Sequence, residues 1–283
     1  MSRTLIAGCG FVGTRLGLDL AAEGHEVWGL RRDPSGLPPT IRRLRADLTK
    51  PAMLQDLPAD LGLVFFTAAP DQHDDDGYRG LYVEGLRNLV QALRVQGQQP
   101  GRLLFTSSTA VYSQNTGEWV DEDSPTEPRN FAGRRLLEAE HLVLTSPFPS
   151  VVVRLAGIYG PGRGRLVESV RNGTAACRDG PPAYTNRIHR DDCAGVLRHL
   201  AMIPAPLPLY VAADHEPADN GTVLRWLAEQ LHVPPPSVRP AAELQSWERG
   251  SSKRCRNDRL LTSGYRFRFP TFRDGYGAMV KGL

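Results

Sequence analysis

The feature that most constrains this chain is a run of three glycines near its start, Gly8-Cys9-Gly10-Phe11-Val12-Gly13. The residues before it, 4–7, have the character of a buried strand, and residues 14–23 have helical spacing. In this context the first glycine permits a tight turn, the second lets a phosphate approach the backbone, and the third lets helix and strand pack closely. The run therefore predicts a dinucleotide pyrophosphate site at the helix N-terminus, formed by Gly8, Gly10, Phe11, Val12 and Gly13. An incidental glycine turn is the alternative.

Strand and helix patterns alternate over the first two hundred residues. Short apolar runs predict strands at 26–30, 63–66, 103–106 and 151–155, with a weaker one at 42–46, and three- and four-residue spacing predicts helices at 78–93 and 131–144. This alternation predicts an α/β fold, a doubly wound parallel Rossmann-type sheet with helices on both faces. The rhythm breaks after Gly160. We therefore predict an NAD(P)-binding Rossmann domain over 1–160 and a small C-terminal substrate lobe mainly over 161–283, with about 188–212 returning to the sheet.

Composition excludes several classes of protein. The 283 residues can bury a core without a staple, and four cysteines far apart, with no CxxC pair, argue against zinc and disulfides and favour a reducing cytoplasm. No metal site is predicted, and the aspartates of 71–76 are interpreted as a solvated loop. The chain lacks an 18-residue apolar stretch, which predicts no membrane span, and its opening apolar run is too short for a signal peptide. A net charge of +3 argues against a nucleic-acid partner.

The residues after the second and third strands bear on which dinucleotide would bind. An acidic residue at the end of the second strand holds the 2′-hydroxyl of NAD, but here the strand ends in Leu30-Arg31-Arg32. Two guanidinium groups suit a 2′-phosphate, so NADP is favoured over NAD. The alternative is a general arginine bias, since 31 of the 34 basic residues are Arg. Asp47, followed by Leu48, would accept from the adenine amino group or cap the following turn.

Taken together, the motifs along the chain are similar to those of one known family. They are the glycine run, Asp47-Leu48, Phe66-Thr67-Ala68-Ala69, the run from Thr106 to Tyr112, the run from Arg154 to Gly162, and Arg187 to Asp192. The chain resembles the extended short-chain dehydrogenase/reductase family, the NAD-dependent epimerase/dehydratases, over nearly its whole length. The resemblance implies an NAD(P)-binding oxidoreductase or epimerase with Thr67, Ala68 and Ala69 beside the cofactor. It also implies a small carbonyl or hydroxyl substrate, with a nucleotide sugar as one candidate, held in a crevice between the two lobes, and a homodimer built through the helices near 78–94 and 131–144.

The family's catalytic residues are only partly present. The resemblance implies that Ser108 binds a substrate oxygen and that a Tyr-x-x-x-Lys motif falls at positions 131 and 135, where this chain has Phe131 and Arg135. Phenylalanine cannot transfer a proton, and a guanidinium does not act as an acid near neutral pH, although Arg135 would still supply positive potential near the nicotinamide ribose. The chain is therefore interpreted as an atypical branch. Either another group supplies the proton, or the protein is a non-catalytic NADP-binding sensor or scaffold.

Four other side chains are candidates for the missing acid, namely Tyr112, Tyr159, Tyr184 and His189. Each also has a structural interpretation. Tyr184 is singled out because it lies in the segment 177–187, which in the family covers the substrate. The second half of the chain is also basic, and its end is either an arginine-rich surface or a site for an anionic substrate, formed by Lys253, Arg254, Arg256, Arg259, Arg266, Arg268 and Arg273.

Overall fold

The structure is a computed structural model that describes residues 1–243 and 252–282. The strands in these ranges are β1 (Arg3–Ala7), β2 (Glu26–Arg31), β3 (Arg42–Arg45), β4 (Leu61–Phe66), β5 (Arg102–Ser108), β6 (Trp119–Val120), β7 (Ser150–Leu155), β8 (Gly157–Tyr159), β9 (Ala176–Arg178), β10 (Tyr184–Thr185), β11 (Arg187–His189), β12 (Leu209–Ala212), β13 (Ala218–Asp219), β14 (Ser237–Arg239) and β15 (Arg254–Cys255). The helices are α1 (Phe11–Ala22), α2 (Asp75–Tyr78), α3 (Leu86–Val95), α4 (Phe131–Leu144), α5 (Arg165–Arg171), α6 (Arg190–Met202), α7 (Asn220–Leu231), α8 (Asp258–Thr262) and α9 (Phe272–Lys281). A π-helical segment, Arg79–Gly85, joins α2 to α3.

Seven of these strands form one parallel sheet in the order β12-β7-β5-β4-β1-β2-β3. β1 lies inside it, with Ala7 in register with Leu30 of β2 on one side and Phe66 of β4 on the other. The strand order reverses between β1 and β4, and in folds of this kind the carboxyl ends of the strands at that point open a crevice for ligands. The predicted α/β fold with a doubly wound, parallel Rossmann-type sheet is confirmed.

The chain forms two compact units. The first comprises residues 1–113, 125–154 and 193–210, and the second comprises 114–124, 155–192 and 211–283. Residues 244–251 and 283 lie outside the described residues, so the end of the second unit is known only in part. The domain limits drawn from the sequence stay a prediction. They differ from this division chiefly in residues 114–124, which the structure groups with the second unit.

The helices of the first unit bury their apolar faces on the sheet. α1 begins at Phe11 rather than at residue 14, because Gly10 occupies the N-cap position and the glycine run leads directly into the first turn. α4 buries Leu136 and Val143 within the protein, so these two side chains are not available for the predicted helix-bundle dimer. The dimer itself stays a prediction.

The second unit has an apolar core of its own between α5, α7 and α9, represented by Val167, Leu224 and Phe272. Short two-stranded ladders surround it, parallel for β8 with β11 and β9 with β14, and antiparallel for β10 with β13. Among the described residues no helix has the length and apolar character needed to cross a membrane.

Candidate functional site

The turn between β1 and α1 is held at the carboxyl edge of the sheet by both neighbouring strands. Gly8 has φ +84°, and a Cβ at this position would lie 2.2 Å from Cα of Ala68, so only glycine fits. Its N–H donates to the carbonyl of Leu30 at 2.9 Å, and its carbonyl accepts the hydroxyl of Thr67 at 2.9 Å. The turn is therefore fixed by residues at the ends of β2 and β4, two of which the sequence predicted at the cofactor site.

The other two glycines differ in what surrounds them. A Cβ at Gly10 would meet nothing nearer than the Gly8 carbonyl at 3.8 Å, so this backbone is open to a ligand. A Cβ at Gly13 would lie 2.7 Å from Thr67 Oγ1 and 2.9 Å from Ile6, so this position lets α1 approach β1. Among the described residues no side chain caps Gly10 at the N-terminus of α1, and the N–H groups of a first helical turn have no partner within the helix. The helix thus presents N–H donors and a positive dipole end, suited to phosphate.

Arg31 and Arg32 lie at the end of β2 in different surroundings. Arg31 donates weakly to the Cys9 carbonyl at 3.5 Å, and none of the ion pairs among the described residues involves it. Arg32 forms a two-point ion pair with Asp71, at 2.6 Å and 2.8 Å. This pair lowers the pKa of the Asp71 carboxyl. Sequence reasoning missed Asp71, because no spacing rule connects a loop after β4 with the end of β2.

Asp47 and Leu48, which follow β3, are engaged in local contacts. Asp47 Oδ1 accepts the N–H of Thr49 at 3.0 Å and the Thr49 hydroxyl at 2.7 Å. Partial burial acts to raise the pKa of Asp47, but these hydrogen bonds outweigh it and the pKa is lowered. The Leu48 carbonyl accepts from Asn88 at 3.0 Å. The capping contact foreseen from the sequence is present, and the contact to adenine stays a prediction.

Ser108 ends β5 and caps the 3-10 turn Thr109–Val111. Its Oγ accepts the N–H of Ala110 at 3.1 Å, and a hydroxyl that accepts in this way keeps its own hydrogen for another oxygen. The first turn of α4 lies against this turn, because a Cβ at Gly133 would be 2.7 Å from the Ala110 carbonyl. The start of α4 is therefore next to Ser108.

Arg135 is occupied by carboxylates. Its Nε and Nη2 donate to the two oxygens of Asp75 at 2.8 Å and 2.9 Å, and its Nη1 donates to Glu138 at 2.7 Å. These pairs hold the pKa of Asp75 below its usual range and raise that of Arg135. The guanidinium joins α2 to α4, and its predicted role toward the nicotinamide ribose stays a prediction.

Phe131, the first residue of α4, packs its ring against two residues that the sequence did not single out. The ring centroids lie 5.3 Å from Tyr78 and 5.6 Å from His73, both edge-on. The Tyr78 hydroxyl and His73 Nδ1 are hydrogen-bonded at 3.0 Å. The sequence around these two residues, which follows β4, carries no motif that would have singled them out. A phenol and an imidazole therefore stand beside Phe131, where the family resemblance leads us to expect the position of a tyrosine.

A buried polar network lies beneath this region. Glu140 of α4 accepts the Ser107 hydroxyl at 2.5 Å and pairs with Arg154 of β7 at 2.7 Å and 3.0 Å. Arg154 also donates to the hydroxyl of Tyr112 at 2.8 Å. Burial acts to lower the pKa of Arg154, but the pairing with Glu140 outweighs it and the pKa is raised. Tyr112, one of the four predicted acids, is thus a buried partner of a structural cation.

The other three predicted acids belong to the second unit. Tyr184 lies in β10, with the guanidinium of Arg254 4.8 Å from its ring centroid. Tyr159 is buried against Tyr276, with centroids 4.2 Å apart, and burial raises its pKa. His189 Nδ1 accepts the N–H of Asp191, in the first turn of α6, at 3.1 Å, so the ring serves local structure. The role of Tyr184 as an acid stays a prediction.

The basic end of the chain is partly neutralised within the second unit. Arg259 holds both oxygens of Asp123 at 2.8 Å, and Arg273 pairs with Glu216. Both carboxylates come from distant parts of the sequence, so the local excess of arginine over residues 253–273 overstates the charge of this surface. An anionic substrate there stays a prediction.

Comparison with known proteins identifies the family. The family model for the NAD dependent epimerase/dehydratase family matches residues 4–178. The chain is 32% identical to a 3-diazoavenalumate denitrifying reductase from Streptomyces, over an alignment of 309 residues that covers 97% of this chain and 99% of the relative.

Solved structures agree with this match. A Methylobacillus flagellatus protein, described provisionally as an NAD-dependent epimerase/dehydratase, is 36% identical and superposes with a TM-score of 0.83 over 99% of this chain and 98% of its own. The human epimerase family protein SDR39U1 (isoform 2), solved with NADPH, is 22% identical and shares the fold, with a TM-score of 0.82 over 99% of this chain and 100% of its own. This chain belongs to the NAD-dependent epimerase/dehydratase family, the extended short-chain dehydrogenases/reductases.

Proposed function

We propose that this protein is an NADP-dependent oxidoreductase acting on a small carbonyl or hydroxyl compound. The observation that carries the proposal is the arrangement at the carboxyl ends of β1 and β2. There an open glycine backbone and an uncapped helix N-terminus lie beside Arg31, which no carboxylate of the described residues pairs. The glycine backbone and the helix N-terminus suit the pyrophosphate of a dinucleotide, and Arg31 suits a 2′-phosphate.

Two properties of similar proteins support the chemistry and the cofactor. The Streptomyces relative is a reductase. The human family member was solved with NADPH, whereas the family as a whole is described by its dependence on NAD. The preference for NADP therefore rests on the residues of this chain, chiefly Arg31.

Within this proposal each residue has a defined task. The first turn of α1 holds the pyrophosphate, Arg31 holds the 2′-phosphate, and Thr67, Ala68 and Ala69 form the wall beyond β4. Ser108 donates its hydroxyl hydrogen to the substrate oxygen, since its Oγ already accepts the Ala110 N–H. The reduced nicotinamide, when bound, supplies a hydride to the carbonyl carbon.

Titration of the purified protein with NADPH and NADH, followed by fluorescence, tests the proposal. We expect NADPH to bind at least about tenfold more tightly than NADH, because a charge-assisted hydrogen bond contributes roughly 1.5–3 kcal/mol. Arg31→Ala should abolish this difference and leave NADH binding unchanged. Arg42→Ala, at the other end of the neighbouring strand, is the matched control and should alter neither. Tighter binding of NADH, or equal loss in both arginine variants, would contradict the assignment.

A non-catalytic NADP sensor or scaffold is the second candidate. Phe131 cannot transfer a proton, and Arg135 is committed to Asp75 and Glu138. This function predicts NADPH binding of the same strength and no oxidation of NADPH with any carbonyl compound. Measuring cofactor binding and turnover on the same preparation separates the two functions.

A further inference from the structure

We propose that Tyr78, hydrogen-bonded to His73, is the proton donor that this chain uses in place of the phenol absent at position 131. The inference rests on the proposed oxidoreductase function and assigns the acid that this function lacks. Its basis is that a phenol and an imidazole, bonded to each other at 3.0 Å, lie against the ring of Phe131.

The position of Tyr78 relative to the missing phenol is close. Its ring centroid lies 5.3 Å from that of Phe131, with the two planes at 85°. Phe131 begins α4, and two residues later Gly133 packs on the carbonyl of Ala110, in the turn capped by Ser108. Tyr78 therefore contacts the first residue of α4, and the first turn of α4 in turn lies against the segment that Ser108 caps.

The segment that carries the pair is held in place from both ends. Asp74 accepts the N–H of Gly77 at 2.7 Å, which caps α2. A Cβ at Gly77 would lie 2.8 Å from the Gln72 carbonyl, so the chain on either side of His73 is closely packed. Asp75, which follows Asp74, is held by Arg135 of α4. An acid that must meet a substrate oxygen needs such a fixed position.

The backbone immediately after Tyr78 is unusual. The π-helical segment Arg79–Gly85 begins there, and π-helical turns occur often at functional sites. Tyr82, four residues after Tyr78, lies against it, with ring centroids 5.4 Å apart. The Tyr82 ring in turn contacts Phe105 of β5 at 6.1 Å. Tyr78 thus stands on an aromatic stack that rests on the sheet.

The state of the two phenols separates their roles. Both phenols are partly buried. Burial raises the pKa of Tyr82 far above the usual range, and none of the hydrogen bonds among the described residues involves its hydroxyl, as expected of a packing residue. Tyr78, by contrast, has a hydrogen-bonding partner that is exposed to solvent. Burial raises the pKa of Tyr78 as well, so it is protonated at neutral pH and able to donate.

The proton and electron balance of the step is complete. The hydride of NADPH adds to the carbonyl carbon, and the carbonyl oxygen, which gains the electron pair of the broken π bond, takes the hydroxyl proton of Tyr78. The products are an alcohol, NADP⁺ and the Tyr78 phenolate. A proton from solvent, relayed through the His73 imidazole, then restores the Tyr78 phenol, so each turnover consumes one solvent proton. In the reverse direction the same groups carry the proton outward.

The test uses NADPH with 4-nitrobenzaldehyde as the carbonyl probe. Tyr78→Phe should lower kcat by about 10²–10⁴-fold, the usual contribution of a positioned acid, while the Kd for NADPH stays within about twofold. Tyr82→Phe is the matched control, because it removes a phenol from the same stack, and it should leave kcat within about threefold. Adding Phe131→Tyr to the Tyr78→Phe variant should restore kcat at least about tenfold, because it places a phenol on the adjoining ring.

A second readout does not depend on turnover. The ring nitrogen resonances of His73, followed by NMR, should shift when NADP⁺ binds to the wild-type protein, since the cationic nicotinamide would lie beside the pair. Unshifted resonances with NADP⁺ bound would overturn the inference. So would a Tyr78→Phe variant with wild-type kcat. A wild-type protein that binds NADPH and reduces no carbonyl compound would refute the proposed oxidoreductase function, and the inference with it. Failure of NADPH to bind would refute the proposed cofactor.

Discussion

The glycine turn after β1 and the first turn of α4 both belong to the first unit, but they differ in whether a ligand or the protein itself provides the contacts. In the glycine turn the backbone is held by the Leu30 carbonyl and the Thr67 hydroxyl, and Gly10 is left open, so a ligand can approach the backbone there. At the start of α4 the side chains have found partners inside the protein, because Arg135 binds Asp75 and Glu138, and Phe131 packs on Tyr78.

This difference indicates that cofactor binding and proton supply are separate properties of the chain. The first depends on backbone shape at the sheet edge, which is hard to change without damaging the fold. The second depends on single side chains at the surface of α4, which can be replaced when another acid lies close by. Experiments that disturb each region should therefore have effects of different kind.

The largest effect is expected from the network that anchors α4 to the sheet. Glu140→Ala would leave the Arg154 cation buried with Tyr112 as its one remaining partner among the described residues. Breaking a buried pair in this way costs about 3–5 kcal/mol of the free energy of unfolding, measurable by urea denaturation. Glu138→Ala, on the exposed face of the same helix, is the control and should leave the urea midpoint nearly unchanged. Equal losses from both variants would mean that α4 is not held by this network.

The glycine turn should show a smaller loss of stability together with a loss of binding. Gly8→Ala forces an alanine to φ +84° and puts its Cβ 2.2 Å from Ala68, which we expect to cost about 3 kcal/mol. NADPH binding should be lost with it.

Gly10→Ala is the paired variant, because its Cβ would meet only the Gly8 carbonyl at 3.8 Å. We expect its unfolding to resemble that of the wild type and its Kd for NADPH to rise by about tenfold, or roughly 1.4 kcal/mol. Wild-type binding by Gly10→Ala would show that no phosphate approaches this backbone.

How far the sequence could predict these regions follows from the same distinction. The alternation of strands and helices and the glycine turn follow from local spacing, and the sheet confirms the fold that they predict. The place of Thr67 and Ala68 beside the turn is an expectation that comes from the family resemblance. The contacts of Arg32 with Asp71 and of Phe131 with Tyr78 join residues 39 and 53 positions apart. Sequence periodicity does not predict such pairs, because they form only where the folded chain brings distant residues together.

The smallest effect, and the finest test of the comparison, concerns Asp71. This carboxylate forms a two-point ion pair with Arg32 and therefore competes with a 2′-phosphate for the guanidinium. Asp71→Asn would remove the competing charge and leave the shape of the loop, and we expect NADPH to bind about threefold more tightly, or roughly 0.6 kcal/mol, within the range of exposed ion pairs. NADH, which lacks the phosphate, should bind as before.

Asp71→Asn combined with Arg32→Ala is the control and should lose the gain, because the released guanidinium is then absent. If Asp71→Asn weakened NADPH binding, the carboxylate would be holding Arg32 in its binding position, and the end of β2 would resemble the start of α4 in depending on internal partners.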